Sequence, residues 1–352
     1  MRIAAVGKAF PSHYFSQEQL LDAVREEWSK HHFNAARLEK LHRAVMVGGR
    51  HLALTIEEYN AIESWGQAND HWIRVAQEVG ERAVRDAVER AGITLDDVGA
   101  IFFVTVTGVA TPSIEARLFN RLGMPPHVKR VPIFGLGCVA GAAGIARAAD
   151  YVMAYPDQAA LLLSVELCSL TLQRDDFSIP NLISSGLFGD GAACAVVCGE
   201  RLKPKTSTRM PQVLATRSVF YPDSERVMGW DISERGFKIV LSAGVPQVVE
   251  KHLRHDVDAF LDDHDLSLDH ISSFVCHPGG PKVLMAFENA LERPREAFQK
   301  TWDSLQQVGN LSSTSVLLVL QDTMDDPPPS GSLGLMLAMG PGFCSELVLL
   351  RW

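Results

Sequence analysis

Three residues stand where their chemistry can be used: Cys138 in Gly135-Leu136-Gly137-Cys138-Val139-Ala140-Gly141, His277 in Cys276-His277-Pro278-Gly279-Gly280-Pro281, and Asn310 in Val308-Gly309-Asn310-Leu311-Ser312-Ser313. A thiol nucleophile, an imidazole to ionise it and polarise a carbonyl, and an amide donor for an oxyanion are the parts needed for acyl transfer followed by decarboxylative carbon–carbon bond formation. Such chemistry calls for no metal and no redox cofactor.

Each residue also has a plainer reading. Around Cys138 an apolar strand breaks at glycines and a helix of Ala and Gly begins, which would set the sulfur at a positive helix end and lower its pKa; the alternative is a buried, inert cysteine. His277 closes an apolar strand, and the Pro-Gly-Gly-Pro turn after it bares the backbone to a narrow substrate arm; the alternative is a histidine that merely caps a strand. The other eleven histidines, His31, His32, His252 and His255 among them, read as solvated on charged helical stretches. Asn310 either caps the helix that follows or aims its amide into a cavity, with Ser312 or Ser313 available as the cap instead. The run from Gly135 to Ala140 also fits a loose dinucleotide fingerprint, with Glu166 as the ribose-binding acid. That motif normally opens the first strand of its domain, here more than a hundred residues precede it, and it leaves His277 and Asn310 unexplained.

The elements that must position these residues follow from hydrophobic periodicity. Helical signals run through residues 20–46, and residues 72–91 form an amphipathic helix with Val75, Val79, Ala83, Val84 and Val88 on one side. Strands are predicted at 101–107, 128–134 and 160–165, with a small-residue helix from about Cys138 and a hairpin-like segment at 187–197 around Gly189-Asp190-Gly191. After a polar, proline-punctuated stretch at 201–211, a similar order restarts: strand 212–220, helix 245–262, strand 271–276, helix 281–291, a helix containing 313–322, and a closing hairpin at 334–350 around Gly340-Pro341-Gly342. This alternation predicts an α/β fold made of two fused copies of one unit, 1–209 and 210–352, with the reactive residues at their junction. Residues 325–332, with three consecutive prolines, form an exposed loop.

With 352 residues, 47% of them hydrophobic, the chain can bury a large core. Its net charge of -9, from 42 acidic and 33 basic residues, opposes nucleic acid, so an anionic ligand needs a local basic patch. The N-terminus reads as a strand and lacks the features of a signal peptide, which predicts a mature start at Met1. No run approaches about 18 uninterrupted apolar residues, and the six cysteines show no disulfide framework, which points to the cytoplasm.

Five segments in order, Gly137-Cys138-Val139-Ala140-Gly141, Gly186-Leu187-Phe188-Gly189-Asp190-Gly191-Ala192-Ala193, His277-Pro-Gly-Gly-Pro, Gly309-Asn310-Leu311-Ser312 and Met339-Gly340-Pro341-Gly342-Phe343, resemble the type III polyketide synthases, the chalcone-synthase-like enzymes. The style of Gly108-Val109-Ala110-Thr111-Pro112-Ser113 is similar to the bacterial branch. The resemblance, which spans essentially the whole chain, implies an α/β thiolase-like fold with duplicated αβαβα halves in five layers. It further implies a homodimer, a Cys138–His277–Asn310 triad, and acyl-CoA and malonyl-CoA as substrates with no other cofactor.

By the same comparison Phe188 matches an aromatic gatekeeper between coenzyme A tunnel and cavity, and Gly279 and Gly280 match glycines beside the pantetheine arm. Arg37 and Lys40 fall at basic positions of the tunnel mouth, while the third falls on Ala44 with Arg43 beside it. Cys168, Thr171, Trp230 and Ser312 match pocket-lining positions. Ile239 stands where plant enzymes carry a second aromatic gatekeeper. Val106 replaces a Thr that in those enzymes forms a network with the counterparts of Glu166 and Ser312, which disfavours aldol closure and favours a pyrone. Small side chains on one wall suit a long alkyl starter, as in synthases of alkylresorcinols or alkylpyrones. The nearest rival is a ketoacyl-acyl carrier protein synthase III, whose relatives place Gln-Ala-Asn after the histidine and lack the Gly-Pro-Gly loop. A non-catalytic thiolase-fold protein is the other alternative, weighed against by the presence of all three triad residues.

Overall fold

The computed structural model describes residues 1–29, 34–206 and 209–352. His31 and His32 lie outside the described residues, as do Ser207 and Thr208 of the polar stretch between the halves.

Thirteen strands are found among the described residues: β1 (Arg2–Ala9), β2 (His13–Ser16), β3 (Gly49–Leu52), β4 (Val98–Thr105), β5 (Lys129–Phe134), β6 (Ala159–Leu167), β7 (Asp190–Cys198), β8 (Gln212–Phe220), β9 (Met228–Ser233), β10 (Gly236–Leu241), β11 (Ile271–Cys276), β12 (Leu333–Gly340) and β13 (Cys344–Arg351). Nine form one sheet in the order β11-β12-β13-β8-β1-β7-β6-β4-β5. The pairing repeats itself. In the first half β4 and β6 are parallel, and β7 runs antiparallel to both β6 and β1; in the second, β11 and β12 are parallel, and β13 runs antiparallel to both β12 and β8. The halves meet where β1 and β8 touch, through the single pair Arg2 and Gln212. Duplication is thus visible in topology although the two halves share little residue identity.

Strand alternation sorts the core into layers, because successive side chains point to opposite faces. Ala100, Phe102 and Val104 of β4 join an inner cluster, whereas Ile101 and Phe103 join an outer one. The inner cluster also takes Met336 and Ala338 of β12 and Val348 of β13, so the inner faces of both halves enclose the same two helices, Ala140–Ala154 and Ser315–Asp325. A helix pressed between the two halves of this sheet is apolar on most of its surface and needs small side chains, which is why the first reads Ala-Gly-Ala-Ala-Gly-Ile-Ala. Outside, helix Trp65–Ala91 covers the first half with Val75, Val79, Ala83 and Val84, while helices Val245–Asp262 and Pro281–Leu291 cover the second with Val249, Leu253, Phe260 and Phe287. Burying each such large aliphatic or aromatic side chain contributes about 1.5–3 kcal/mol. The result is five layers, αβαβα. Helix Trp65–Ala91 begins seven residues before its predicted start at residue 72 because Ser64 caps it, accepting from Gln67 N at 3.3 Å.

The hairpin expected at 187–197 does not form. Ile179–Leu187 is a helix capped by Ser178, and Asp190–Cys198 is one long strand between β6 and β1. In the second half the equivalent neighbours β12 and β13 are joined by the tight Pro341-Gly342-Phe343 turn. In the first half the connection between β6 and β7 instead runs from residue 168 to 189, and this extra chain becomes a wall of the cavity described below. The hairpin β9–β10 and the helix Gln299–Val308 have no counterpart among the predicted elements.

Candidate active site

Cys138 lies in a single 3₁₀ turn, Gly137–Val139, at the head of the central helix Ala140–Ala154. Its approach is dictated by close packing. Gly137 has φ +58, a conformation that favours glycine, and a Cβ there would stand 2.7 Å from the Pro341 ring. A Cβ on Gly340, at the end of β12, would stand 3.3 Å from Cys138 Cβ. The Gly-Pro-Gly loop is therefore seated directly on the nucleophile turn. His277 continues β11, its N–H donating to Leu337 O of β12 at 2.9 Å, so the imidazole and the sulfur stand at the same ends of adjoining segments. Asn310 ends the crossing from helix Gln299–Val308, and its backbone pairs with Phe188.

Hydrogen bonds link the three motifs across the two halves. Cys138 Sγ lies 3.7 Å from Ser312 Oγ. Ser312 N–H donates to Asn310 Oδ1 at 2.8 Å, Asn310 Nδ2 donates to Gly279 O at 3.3 Å, and Gly279 N–H donates to His277 O at 2.9 Å. All three side chains are buried, and neither ring nitrogen of His277 has a hydrogen-bond partner among the described residues. A buried imidazole left unpaired costs about 1–3 kcal/mol per polar group, and a catalytic role is one explanation for that cost.

The expectation of a lowered thiol pKa is corrected. Burial pushes the Cys138 thiol up to about 12, the Ser312 hydroxyl opposing this and the Glu166 charge adding to it. Burial likewise pushes His277 down to about 3. Cys138 sits inside a 3₁₀ turn and not at a free helix end, so loss of solvent outweighs the dipole. Burial thus favours the neutral form of both groups.

Beside the sulfur, Glu166 is fully buried, its carboxyl raised to about 7 by burial. It accepts from Thr107 Oγ1 at 2.9 Å, Val106 N at 3.1 Å, Thr105 Oγ1 at 3.3 Å and Ser313 Oγ. The hydroxyl missing at Val106 is thus replaced by Thr105 and Thr107. Ser313, and not the expected Ser312, reaches Glu166, since Ser312 is turned to Cys138.

A cavity of about 580 Å³ lies on the other side of Phe188. Five expected pocket residues line it: Phe188, Cys168, Thr171, Trp230 and Ile239. Trp230 and Ile239 are cross-strand neighbours on the unforeseen β9–β10 hairpin. Glu166 and Ser312 do not line it; they belong to the polar network around the sulfur. Leu20 and Val24 supply an apolar wall, and Arg50, Tyr59 and Phe237 also face the cavity without having been singled out. A signal for Arg50 existed: one charge in the otherwise apolar and small run Val45-Met46-Val47-Gly48-Gly49-Arg50.

On helix Ala35–Ala44, Arg37 and Lys40 are exposed and free of ion pairs among the described residues, whereas Arg43 is held by Glu39 at 2.9 Å one turn back. Gly280 opens the helix Pro281–Leu291, with Gly279 before it. One further expectation fails: His42 is buried, its Nε2 at 3.0 Å from Ser185 Oγ, and burial with the nearby Arg50 charge holds its imidazole down to about 3.

Comparison with known proteins agrees with this geometry. Residues 1–201 match the family described as chalcone and stilbene synthases, N-terminal domain, and residues 212–352 match the C-terminal domain of the same family. The chain is 49% identical over 352 residues to a 1,3,6,8-tetrahydroxynaphthalene synthase of Streptomyces peucetius, covering 99% of this chain and 93% of that protein. It is 39% identical to a putative chalcone synthase of Bacillus subtilis, covering 99% and 98%. The solved 1,3,6,8-tetrahydroxynaphthalene synthase of Streptomyces coelicolor, a bacterial type III polyketide synthase, superposes with a TM-score of 0.93 at 29% identity over 100% and 99% of the two chains. Its thiolase-like fold, its two-part match and its relatives make this chain a member of the chalcone and stilbene synthase family, a type III polyketide synthase and hence an acyltransferase.

Proposed function

We propose that Cys138, His277 and Asn310 are the catalytic residues of a synthase that extends an acyl-CoA starter with malonyl-CoA. Cys138 gives its proton to His277 as its sulfur attacks the starter thioester, and coenzyme A leaves with a proton. His277 and Asn310 then hydrogen-bond the malonyl thioester carbonyl. As the bond to the carboxylate breaks, its electron pair stays on the α-carbon and carbon dioxide departs. The enolate attacks the acyl-Cys138 carbonyl, and the extended chain, now on coenzyme A, returns to the sulfur for another round. The observation that carries this reading is the unbroken contact path from Cys138 through Ser312 and Asn310 to the His277 loop, with both imidazole nitrogens unpaired.

Phe188 acts as the gate between this site and the cavity, supported by its backbone bridge to Asn310 on one side and its place in the cavity wall on the other. Cys168, Thr171, Trp230 and Ile239 shape the growing chain, Glu166 and Ser312 tune the sulfur, and Arg37 and Lys40, with Gly279 and Gly280, hold the coenzyme. Arg43 is secondary because Glu39 already neutralises it. The apolar wall of Leu20 and Val24 and the open passage at Ile239 support an aliphatic starter, including long-chain fatty acyl groups, and closure to a pyrone or resorcinol-type ring. Naphthalene-type products are the second reading, favoured by the names of the relatives. Division into halves at residues 209 and 210, a homodimer and a cytoplasmic setting complete the proposal, the last in keeping with six free cysteines.

Mass spectrometry of products from labelled malonyl-CoA, with and without a panel of acyl-CoA starters, tests it. Starter-dependent polyketides from coenzyme A thioesters are expected. An absolute need for malonyl carrier protein, with a single condensation, would overturn the reading, and a tetrahydroxynaphthalene product formed whatever starter is added would favour the second reading.

A further inference from the structure

Arg50 is the least expected charge in the molecule. It is 2% exposed and sits on β3, and its guanidinium donates to Ser185 O, to Gly186 O and, at 2.9 Å, to Gln17 Oε1. Gln17 Nε2 donates to the same Gly186 O at 2.9 Å. These carbonyls close the helix Ile179–Leu187, whose next residue is Phe188. A cation at a helix C-terminus is favourable, and the planar fork of arginine fixes two neighbouring carbonyls at once.

The stem of Arg50 is as well placed as its head. A Cβ on Gly189 would stand 3.1 Å from Arg50 Cβ, and one on Gly309 would stand 3.7 Å from Arg50 Cδ. The side chain therefore runs between the residue after Phe188 and the residue before Asn310. Across the same gap Asn310 N–H donates to Leu187 O at 2.9 Å and Gly189 N–H donates to Asn310 O at 3.0 Å. Asn310 thus bonds the backbone on both sides of Phe188, and Arg50 holds the helix end that precedes it. An apolar side chain could fill this space without burying a charge; what arginine adds is a fixed register between the two segments.

We propose that Arg50 is a positioning residue that sets the spacing between Phe188 and the Asn310 carboxamide and so keeps condensation coupled to decarboxylation. This rests on the reading of Phe188 as gate and Asn310 as oxyanion donor. Once carbon dioxide has left, the enolate has two fates: it attacks acyl-Cys138, forming a carbon–carbon bond and releasing the sulfur, or it takes a proton and leaves as acetyl-CoA. The first requires the acyl chain, guided by Phe188, and the enolate, held by Asn310, to meet at bonding distance.

The test measures, with radiolabelled malonyl-CoA, the ratio of acetyl-CoA to polyketide formed by the full-length wild type, Arg50→Lys, Gln17→Ala and Asn310→Ala. Lysine keeps the charge but lacks the rigid planar fork that fixes the two carbonyls relative to each other. In Arg50→Lys the ratio is expected to rise about tenfold or more, since a 1 Å misplacement costs on the order of 100-fold, and Gln17→Ala is expected to move it the same way by less. A purely structural role would lower all products together and leave the ratio fixed. Unchanged ratios in both soluble variants overturn the proposal; if Arg50→Lys fails to fold, the ratio in Gln17→Ala decides alone. Asn310→Ala separates this outcome from failure of the underlying reading: carbon dioxide release undiminished in that variant would remove the oxyanion assignment itself.

Discussion

The Ser312 hydroxyl lies 3.7 Å from the Cys138 sulfur, brought there by a backbone at φ +48, unusual for a residue with a side chain. Ser312 favours the thiolate, in opposition to the burial that pushes the thiol up. Removing the hydroxyl in Ser312→Ala should raise the thiol pKa further. A hydrogen bond worth about 1 kcal/mol corresponds to about a fivefold lower thiolate fraction at a given pH. Alkylation of Cys138 by iodoacetamide, followed by mass spectrometry across pH 7 to 10, should slow by about that factor; a rate equal to or faster than wild type would remove Ser312 from the activation of the sulfur.

Glu166 makes a prediction about stability. Burial raises its folded-state pKa to about 7, above the value of an unfolded glutamate, despite four hydrogen bonds that favour the charged form. The folded protein therefore holds the proton more tightly than the unfolded chain does. The associated stability is fully present below about pH 4.5 and is lost as pH rises through about 7, a swing of about 3 kcal/mol at 1.36 kcal/mol per unit. Glu166→Gln cannot titrate. Its urea midpoint, subtracted from that of the wild type at each pH, should reveal a relative loss of wild-type stability between about pH 4.5 and 7, and a flat difference would mean that the carboxyl titrates normally.

Gly141 lies in the first turn of the central helix, where a Cβ would stand 2.4 Å from Ser313 O and 2.5 Å from Val316 Cγ1. A backbone carbonyl cannot step aside, so Gly141→Ala must push the central helices apart, at a cost of about 1–3 kcal/mol for overpacking. Displacing Ser313 also drags Ser312 from the sulfur. Thermal unfolding should shift downward and turnover should fall together; a variant with unchanged melting and full activity would show that the two helices have slack.

Much of this was legible in the sequence for one physical reason: the central layer demands small or apolar side chains, and the reactive residues sit at glycine-marked strand ends. Helices Val245–Asp262 and Pro281–Leu291 and strand Ile271–Cys276 match their predicted limits because local signals mark them, a glycine cap with a proline just inside the start of each helix and an apolar run in the strand. What stayed hidden depends on tertiary contacts. Residues 187–197 look like a hairpin because Gly189-Asp190-Gly191 is a turn signal, yet Asp190 is buried, accepting from Ala53 N at 2.7 Å and Ser169 N at 2.9 Å, and the strand runs straight on. The Cys138 pKa was misjudged for a similar reason: a helix start can be read from sequence, but the solvent lost on burial cannot. His42 and Arg50 owe their positions to the last turn of helix Ile179–Leu187, where a Cβ on Gly186 would stand 2.9 Å from the His42 ring and Arg50 donates to Ser185 O and Gly186 O; the lone charge of Arg50 could be read from the sequence, but this partner could not.

Ile239 offers the sharpest test of substrate range. It faces Trp230 across the β9–β10 hairpin, and both side chains line the cavity beyond Phe188. Trp230 and Phe237 already meet edge to face with centroids 6.0 Å apart, so the hairpin carries two rings and one gap. Ile239→Phe closes that gap with an aromatic ring while leaving the sulfur, the imidazole and the carboxamide untouched. A short starter should pass with little change, whereas a long acyl chain, which must thread the narrowed passage in an extended form, should lose about tenfold or more in kcat/KM, within the range by which pocket shape discriminates apolar groups. The comparison is made on one preparation with starters that differ only in chain length, so loss of folded protein cancels. Equal losses for both lengths would mean that the growing chain does not pass Ile239, and the wall formed by Leu20 and Val24 would then define the acyl path without the hairpin.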